Sequence, residues 1–149
     1  MKIYLTSDHA GFELKNELRE YLVHHGNEVE DLGPSTLNPE DDYPQFAFKL
    51  ATNLLGSEDK DPRGIMICGS GQGPAIALNR VRGIRAAVAW SEEVAKETRA
   101  DNDSNVLCLP ARFIDKNVAY AVAEAWLKEP FSGAPRHRRR LKEIEELYG

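Results

Sequence analysis

Short apolar runs alternate with amphipathic stretches along the chain. Ile3-Tyr4-Leu5 reads as a strand. Phe12, Leu14, Leu18, Tyr21 and Leu22 follow at near-helical spacing, and Gly26 is a natural stop. Val29 to Leu32 predicts a second short strand before Gly33-Pro34. Residues 34–42 are rich in Pro, Ser, Asn and acid and predict a loop. Phe46, Leu50 and Leu54 share one face of a helix over residues 43–55. The continuous run from Gly64 to Cys68 predicts a strand covered on both faces. A Gly-rich turn follows, then a helix over about 74–80, a strand over 85–90 and a helix over 92–99. Asn105 to Leu109 predicts the fifth strand, followed by helices over 115–128 and 136–147.

Strands that alternate with helices predict an α/β fold with a five-stranded parallel sheet, helices on both faces and a further C-terminal helix. In such sheets ligands bind at the carboxyl ends of the strands. The residues able to do chemistry are expected there: Ser7-Asp8-His9, the segment from Cys68 to Gly73, and Asp101-Asn102. The 149 residues predict one domain, with no internal repeat and no low-complexity tract. A site must then lie on that domain's own edge or between copies of the chain.

Charge adds an asymmetry. The chain carries net charge −5, yet residues 136–149 hold five Lys/Arg against three Glu. The acidic body and the lack of aromatic residues among the arginines make nucleic acid a poor partner. Two well-separated cysteines, Cys68 and Cys108, form neither a disulfide framework nor a CxxC metal pair. The N-terminal apolar run is too short for a signal peptide, and no stretch reaches the roughly 20 apolar residues of a membrane span. A soluble, cytoplasmic protein is expected.

Cys68-Gly69-Ser70-Gly71-Gln72-Gly73-Pro74 is the strongest local signal. Alternating glycines let the backbone turn sharply and approach a ligand. Pro74 suits a helix's first turn, where its missing N–H costs nothing. Such a loop aims N–H groups at whatever lies above Cys68, favouring a thiolate or a substrate oxyanion. A dinucleotide fingerprint fails because Pro74 stands where its last Gly belongs, and the Walker Gly-Lys-Ser/Thr is absent. Cys68 by itself suits the core as well as catalysis, whereas Cys108 lacks such a loop and reads as core.

Asp8-His9 follows the first strand and could handle protons or bind phosphate, although from this pair alone a helix cap is the stronger reading of Asp8. His24 and His25 read as surface residues at a helix end. Arg136 and Arg140, four apart, share a helical face and make a clamp for a dianionic phosphate. Arg138 and Arg139 read equally well as a solvated face, and Arg112 is a lesser phosphate candidate.

Taken together, Ser7-Asp-His-Ala-Gly-Phe12, Asp42-Tyr-Pro44, Ile67-Cys-Gly-Ser-Gly-Gln-Gly73, Gly83-Ile-Arg-Ala-Ala87, Asn102-Asp-Ser-Asn-Val106 and Arg136-His137 with Arg140 resemble the B-type ribose-5-phosphate isomerases and the related galactose-6-phosphate isomerase subunits. The likeness covers nearly the whole chain. It implies a Rossmann-like three-layer αβα sandwich and a homodimer, often paired into tetramers, with sites shared between subunits. It implies reversible aldose–ketose isomerisation of ribose 5-phosphate and ribulose 5-phosphate, a step of the pentose phosphate pathway, without metal or organic cofactor. It makes Cys68 the base that moves the proton between C2 and C1; members lacking that cysteine use a glutamate where this chain has Pro74. Ser70 and the N–H groups of Gly69, Gly71 and Gly73 would hold the enediolate oxygen. Asp8 would contact the sugar hydroxyls and pass a proton between O1 and O2. His9, Arg136 and Arg140 would bind the phosphate, helped by Arg112 and His137, while Tyr43 and Asn102 would line the sugar pocket.

One position departs from that pattern. Relatives carry a ring-opening histidine just before the residue matching Asn102, and this chain has Asp101. A carboxylate is normally the weaker base near neutral pH. Either Asp101 opens the ring, or another residue does, or the substrate needs no opening. A four-carbon aldose 4-phosphate fits the last case, because its O4 carries the phosphate. Other aldose phosphates (allose or galactose 6-phosphate) and a non-catalytic sugar-phosphate sensor are the remaining alternatives.

Overall fold

In a computed structural model describing residues 1–149, the five apolar runs become strands of one all-parallel sheet. They are β1 (Lys2–Ser7), β2 (Glu28–Asp31), β3 (Arg63–Cys68), β4 (Ala86–Val88) and β5 (Val106–Pro110), in spatial order β2-β1-β3-β5-β4. The helices are α1 (Phe12–His24), α2 (Tyr43–Leu55), α3 (Gln72–Leu78), α4 (Glu92–Asn102), α5 (Lys116–Lys128) and α6 (Pro135–Tyr148). The α/β class, the five parallel strands and the C-terminal helix agree with the sequence reading.

Strand alternation divides the core into two layers. Ile3, Leu5, Ile65, Ile67, Leu107 and Leu109 face one side, packed with Leu18 and Leu22 of α1, Ala95 of α4 and Ala119, Val122 and Trp126 of α5. Tyr4, Met66, Val106 and Cys108 face the other, against Leu50 and Leu54 of α2 and Leu78 of α3. The sheet is therefore sandwiched between helices, as a parallel sheet requires. No helix is long and apolar enough to cross a membrane.

The strand order places the site. After β1 the chain turns outward to β2, then crosses back so that β3 pairs with the other side of β1. The connections after β1 and β3 diverge, leaving a crevice at their carboxyl ends, where ligands of such sheets bind.

Some boundaries differ from the sequence reading. The helix expected from Pro74 begins at Gln72, because Gly71 at φ +75° turns the chain into it earlier. Pro74 still lies in the first turn. The fourth strand keeps only Ala86–Val88 of the expected 85–90. The helix expected to stop at Arg99 continues to Asn102 and ends at Asp103, in the left-handed region at φ 46°. That extension matters for the site.

Candidate active site

Cys68 is the last residue of β3 and is 7% exposed. Even-numbered residues of β3 face α2 and α3, so Cys68 follows Met66 toward that layer. Its carbonyl accepts from Ala111 N–H at 2.8 Å, and the Gly69 carbonyl accepts from Arg112 N–H at 3.0 Å. The loop after β5 is thereby laced to the loop after β3. The Arg112 guanidinium lies over Gly69, where a Cβ would come within 2.9 Å of Nη1. The Tyr43 ring lies over Gly73, where a Cβ would approach to 2.5 Å. These glycines let two side chains close over the loop. The Ser70 hydroxyl accepts from Gln72 N–H at 3.3 Å. Cys108, opposite Met66 and two residues below the level of Cys68, is fully buried, and burial pushes its thiol far up. It stays a core residue.

Asp8 is tethered beside the same strand end, its amide donating to the Ile67 carbonyl at 3.3 Å. Asp8 also caps the short 3-10 turn His9–Gly11, with Oδ1 accepting from Gly11 N–H at 3.2 Å. The capping reading of Asp8 holds, and the cap lies beside the strand end that carries Cys68. His9 faces Asp41: the Asp41 Oδ1 accepts from His9 N–H at 2.9 Å and lies 2.7 Å from Nδ1. The Asp41 hydrogen bond is the main cause that holds His9 above its ordinary pKa, against desolvation and with help from Asp8. Nδ1 then carries a proton toward Asp41, leaving Nε2 for a ligand.

Sequence reasoning missed Asp41 and what holds its loop. Lys15 is fully buried, and Nζ donates to both carboxylate oxygens of Asp31 and to the Pro34 carbonyl, each at 2.9 Å. Arg19 adds a 2.7 Å bond to Asp31. Burial pushes the Asp31 carboxyl up, but Lys15, Gly33 N–H and Arg19 together outweigh it and bring it below the ordinary value. Lys15 thus fixes the start of the segment that delivers Asp41 and Tyr43. The available signal was a lysine on the apolar side of a predicted helix, with its partners 16 and 19 residues further along the chain.

The remaining candidates lie elsewhere. Asp101 and Asn102 do not follow a strand, correcting the expectation that they sit with Cys68. They end α4, which runs antiparallel to the strands and returns to the sheet's amino-terminal edge; Asn105, just beyond, accepts from Gly64 N–H near the start of β3. Ser132 N–H donates to the Ala100 carbonyl, which brings the start of α6 to the same edge. Arg136 and Arg140 are exposed there. His137 is buried, with Nδ1 2.8 Å from Ser132 Oγ and Nε2 3.5 Å from Asp101 Oδ1. Ser132 Oγ also accepts from Ala134 N–H, so the serine ties His137 to the turn that enters α6. Arg138 packs over Phe131 at 5.6 Å and donates to the Gly133 carbonyl, so it braces the turn into α6. Nothing in the structure explains Arg139.

One edge of the sheet thus carries Asp8, His9, Tyr43, Cys68, Ser70 and Arg112, and the opposite edge carries Asp101, Asn102, Arg136, His137 and Arg140. A single chain does not bring the two sets together.

Known proteins share this arrangement of elements. A family model described as Ribose/Galactose Isomerase matches residues 3–144. The chain is similar to ribose-5-phosphate isomerase B of Mycolicibacterium paratuberculosis, 40% identical over 98% of this chain and 91% of that protein. It is similar to a putative sugar phosphate isomerase of Bacillus subtilis, 38% identical over 98% and 96% of the two chains. Among solved structures, ribose-5-phosphate isomerase B of Mycoplasma genitalium with bound ribulose 5-phosphate superposes with TM-score 0.92, at 39% identity over 97% of this chain and 94% of that one. With a matching family model over nearly all of its length and relatives near 40% identity, the chain belongs to the ribose/galactose isomerase family.

Proposed function

We propose that this protein is one isomerase domain that interconverts ribose 5-phosphate and ribulose 5-phosphate through an enediolate. The observation that carries the reading is the placement of Cys68 at the end of β3, at the β1/β3 crevice, beneath a glycine loop closed by Tyr43 and Arg112. An aldose C2 proton is weakly acidic, so a base needs a partner that stabilises the enediolate. In this reading the Cys68 thiolate takes the C2 proton and becomes a thiol. Ser70 and the backbone N–H groups of Gly69, Gly71 and Gly73 receive the developing charge. Asp8 carries the hydroxyl proton between O1 and O2, and the thiol returns its proton to C1. The product is the ketose, with no net change in protons and no external oxidant. His9 and Arg112 hold the phosphate, and that binding energy places C2 against the base.

The opposite-edge residues enter from a second copy. In a homodimer, or a tetramer of such dimers, the partner's Arg136 and Arg140 clamp the same phosphate and its Asn102 lines the sugar. Asp101 serves ring opening, oriented by His137, which acts through Asp101 rather than on the phosphate. The His137 imidazole beside Asp101 favours a ring-opening substrate over a four-carbon aldose 4-phosphate. A cytoplasmic location fits a sugar-phosphate substrate.

The test is an NMR panel of ribose 5-phosphate, allose 6-phosphate, galactose 6-phosphate and a tetrose 4-phosphate with wild type and Cys68→Ala. Turnover of ribose 5-phosphate well above the others, lost in Cys68→Ala with phosphate binding retained, is expected. Full activity in Cys68→Ala overturns the mechanism. Binding without any product makes the protein a sensor.

A further inference from the structure

On the far side of the sheet from Cys68, and next to the end of α4, the amino-terminal end of β3 and the ends of α2 and α4 border a cavity of about 310 Å³. Four cationic side chains line it, Lys60, Arg63, Arg85 and Arg99, against two carboxylates, Asp61 and Asp103. Cys68, Asp101, Arg136 and Arg140 take no part in it.

The cations are incompletely matched. Arg63 is 5% exposed and Arg99 4%. Arg63 Nε and Nη2 donate to Asp61 at 3.0 and 3.1 Å, but its Nη1 is buried without a hydrogen-bond partner. Asp103 is divided between two arginines: Oδ1 accepts from Arg99 Nη1 at 2.9 Å, and Oδ2 lies 3.4 Å from Arg85 Nη2, while backbone carbonyls of Glu129 and Ser104 take up Arg99 and that of Asp103 takes up Arg85 Nε, so that these hydrogen bonds are met largely by neutral groups. Lys60 is exposed and forms no ion pair within 4.0 Å. Burial, and then the charge of Arg63, push the Arg99 pKa down, so the two buried guanidiniums feel one another. Buried cations are stable when they are paired and hydrogen-bonded. Here a surplus of positive charge persists in a protein whose net charge is −5.

We propose that this cavity is a second anion site, which takes a phosphate dianion, free or as a small monoester, on Lys60 and Arg85 with Arg63 and Arg99 as the buried charge behind them. Arg85 Nε and Nη2 are turned to Asp103, which leaves Arg85 Nη1, with Lys60 Nζ, to donate charge-assisted hydrogen bonds to phosphate oxygens. The cavity has room for the phosphate and a small organic group. An occupant would tie the end of α4 to the start of β3, so binding raises the melting temperature.

The proposal does not depend on the isomerase reading. The full-length protein, ¹⁵N-labelled, is titrated with inorganic phosphate and separately with glycerol 3-phosphate while the Arg63, Arg85 and Arg99 Nε–H signals are followed. Saturable shifts of these signals are expected, weakened about tenfold in Lys60→Gln and in Arg85→Gln. The shifts persist in Arg136→Gln/Arg140→Gln. Response to one titrant alone identifies free phosphate or the monoester as the ligand. Absence of saturable shifts up to tens of millimolar, or shifts untouched in Lys60→Gln, overturns the proposal. Lys60→Gln keeps the test valid if Arg85→Gln does not fold, because Lys60 is exposed and has no partner to lose.

Discussion

The imidazole of His9 and the carboxylate of Asp41 stand 2.7 Å apart, Nδ1 to Oδ1, across the mouth of the β1/β3 crevice. Because Asp41 holds the His9 pKa above 6.5, His9 stays cationic at pH values where a free imidazole is neutral. The raised value means that the pair contributes fully below the ordinary histidine value and loses its contribution as pH rises through the raised one. Asp41→Asn therefore lowers the His9 pKa toward 6.5, read by ¹H NMR titration of the ring. Phosphate binding weakens in the window between the two values, and wild type and variant converge at higher pH.

The Asp101–His137 contact predicts a split between substrates. His137→Phe removes the group that orients Asp101, and kcat for ribose 5-phosphate falls by about 10²-fold. A four-carbon aldose 4-phosphate has no ring to open, so its slower turnover is unchanged. An equal fall for both substrates would mean a structural role only.

Separation of the two residue sets predicts complementation. Cys68→Ala and Arg140→Gln are each inactive alone. After mixing, reversible dissociation and reassociation, half the dimers are hybrids, and each hybrid holds one intact site. Activity recovers to about a quarter of wild type, as shared sites in a two-fold dimer require. No recovery, with exchange verified by native mass spectrometry, rules out sharing.

Lys15 predicts a stability effect far from the chemistry. Lys15→Met leaves Asp31, whose side chain is 18% exposed, with Arg19 as its remaining cationic partner. Chemical denaturation should show a loss on the order of 3 kcal/mol. The Asp31 carboxyl is depressed in the native protein, so its contribution is present above the ordinary value of 3.8 and is lost as pH falls through the depressed one. In the variant that value rises, and acid unfolding begins at higher pH.

The hydrophobic pattern carried the order of elements, the parallel sheet and the position of Cys68 at a strand end, since each depends on neighbours within a few residues. Periodicity of two or 3.6 is a short-range property, and so is a run of alternating glycines. Boundaries drifted where a local backbone choice intervened, at Gly71 and Asp103. The meeting of His9 with Asp41, of Lys15 with Asp31 and of Asp101 with His137 was not legible. Those contacts depend on where β-α crossovers return the chain, and sequence distance does not encode that. Likewise the basic stretch at Arg136–Arg140 gave its charge in the sequence but not its edge of the sheet. By itself the sequence determined which chemistry is present. Only the tertiary structure decided that it is divided between two edges, because a helix returning antiparallel to its strand carries its last residues a full strand length away from the strand's end.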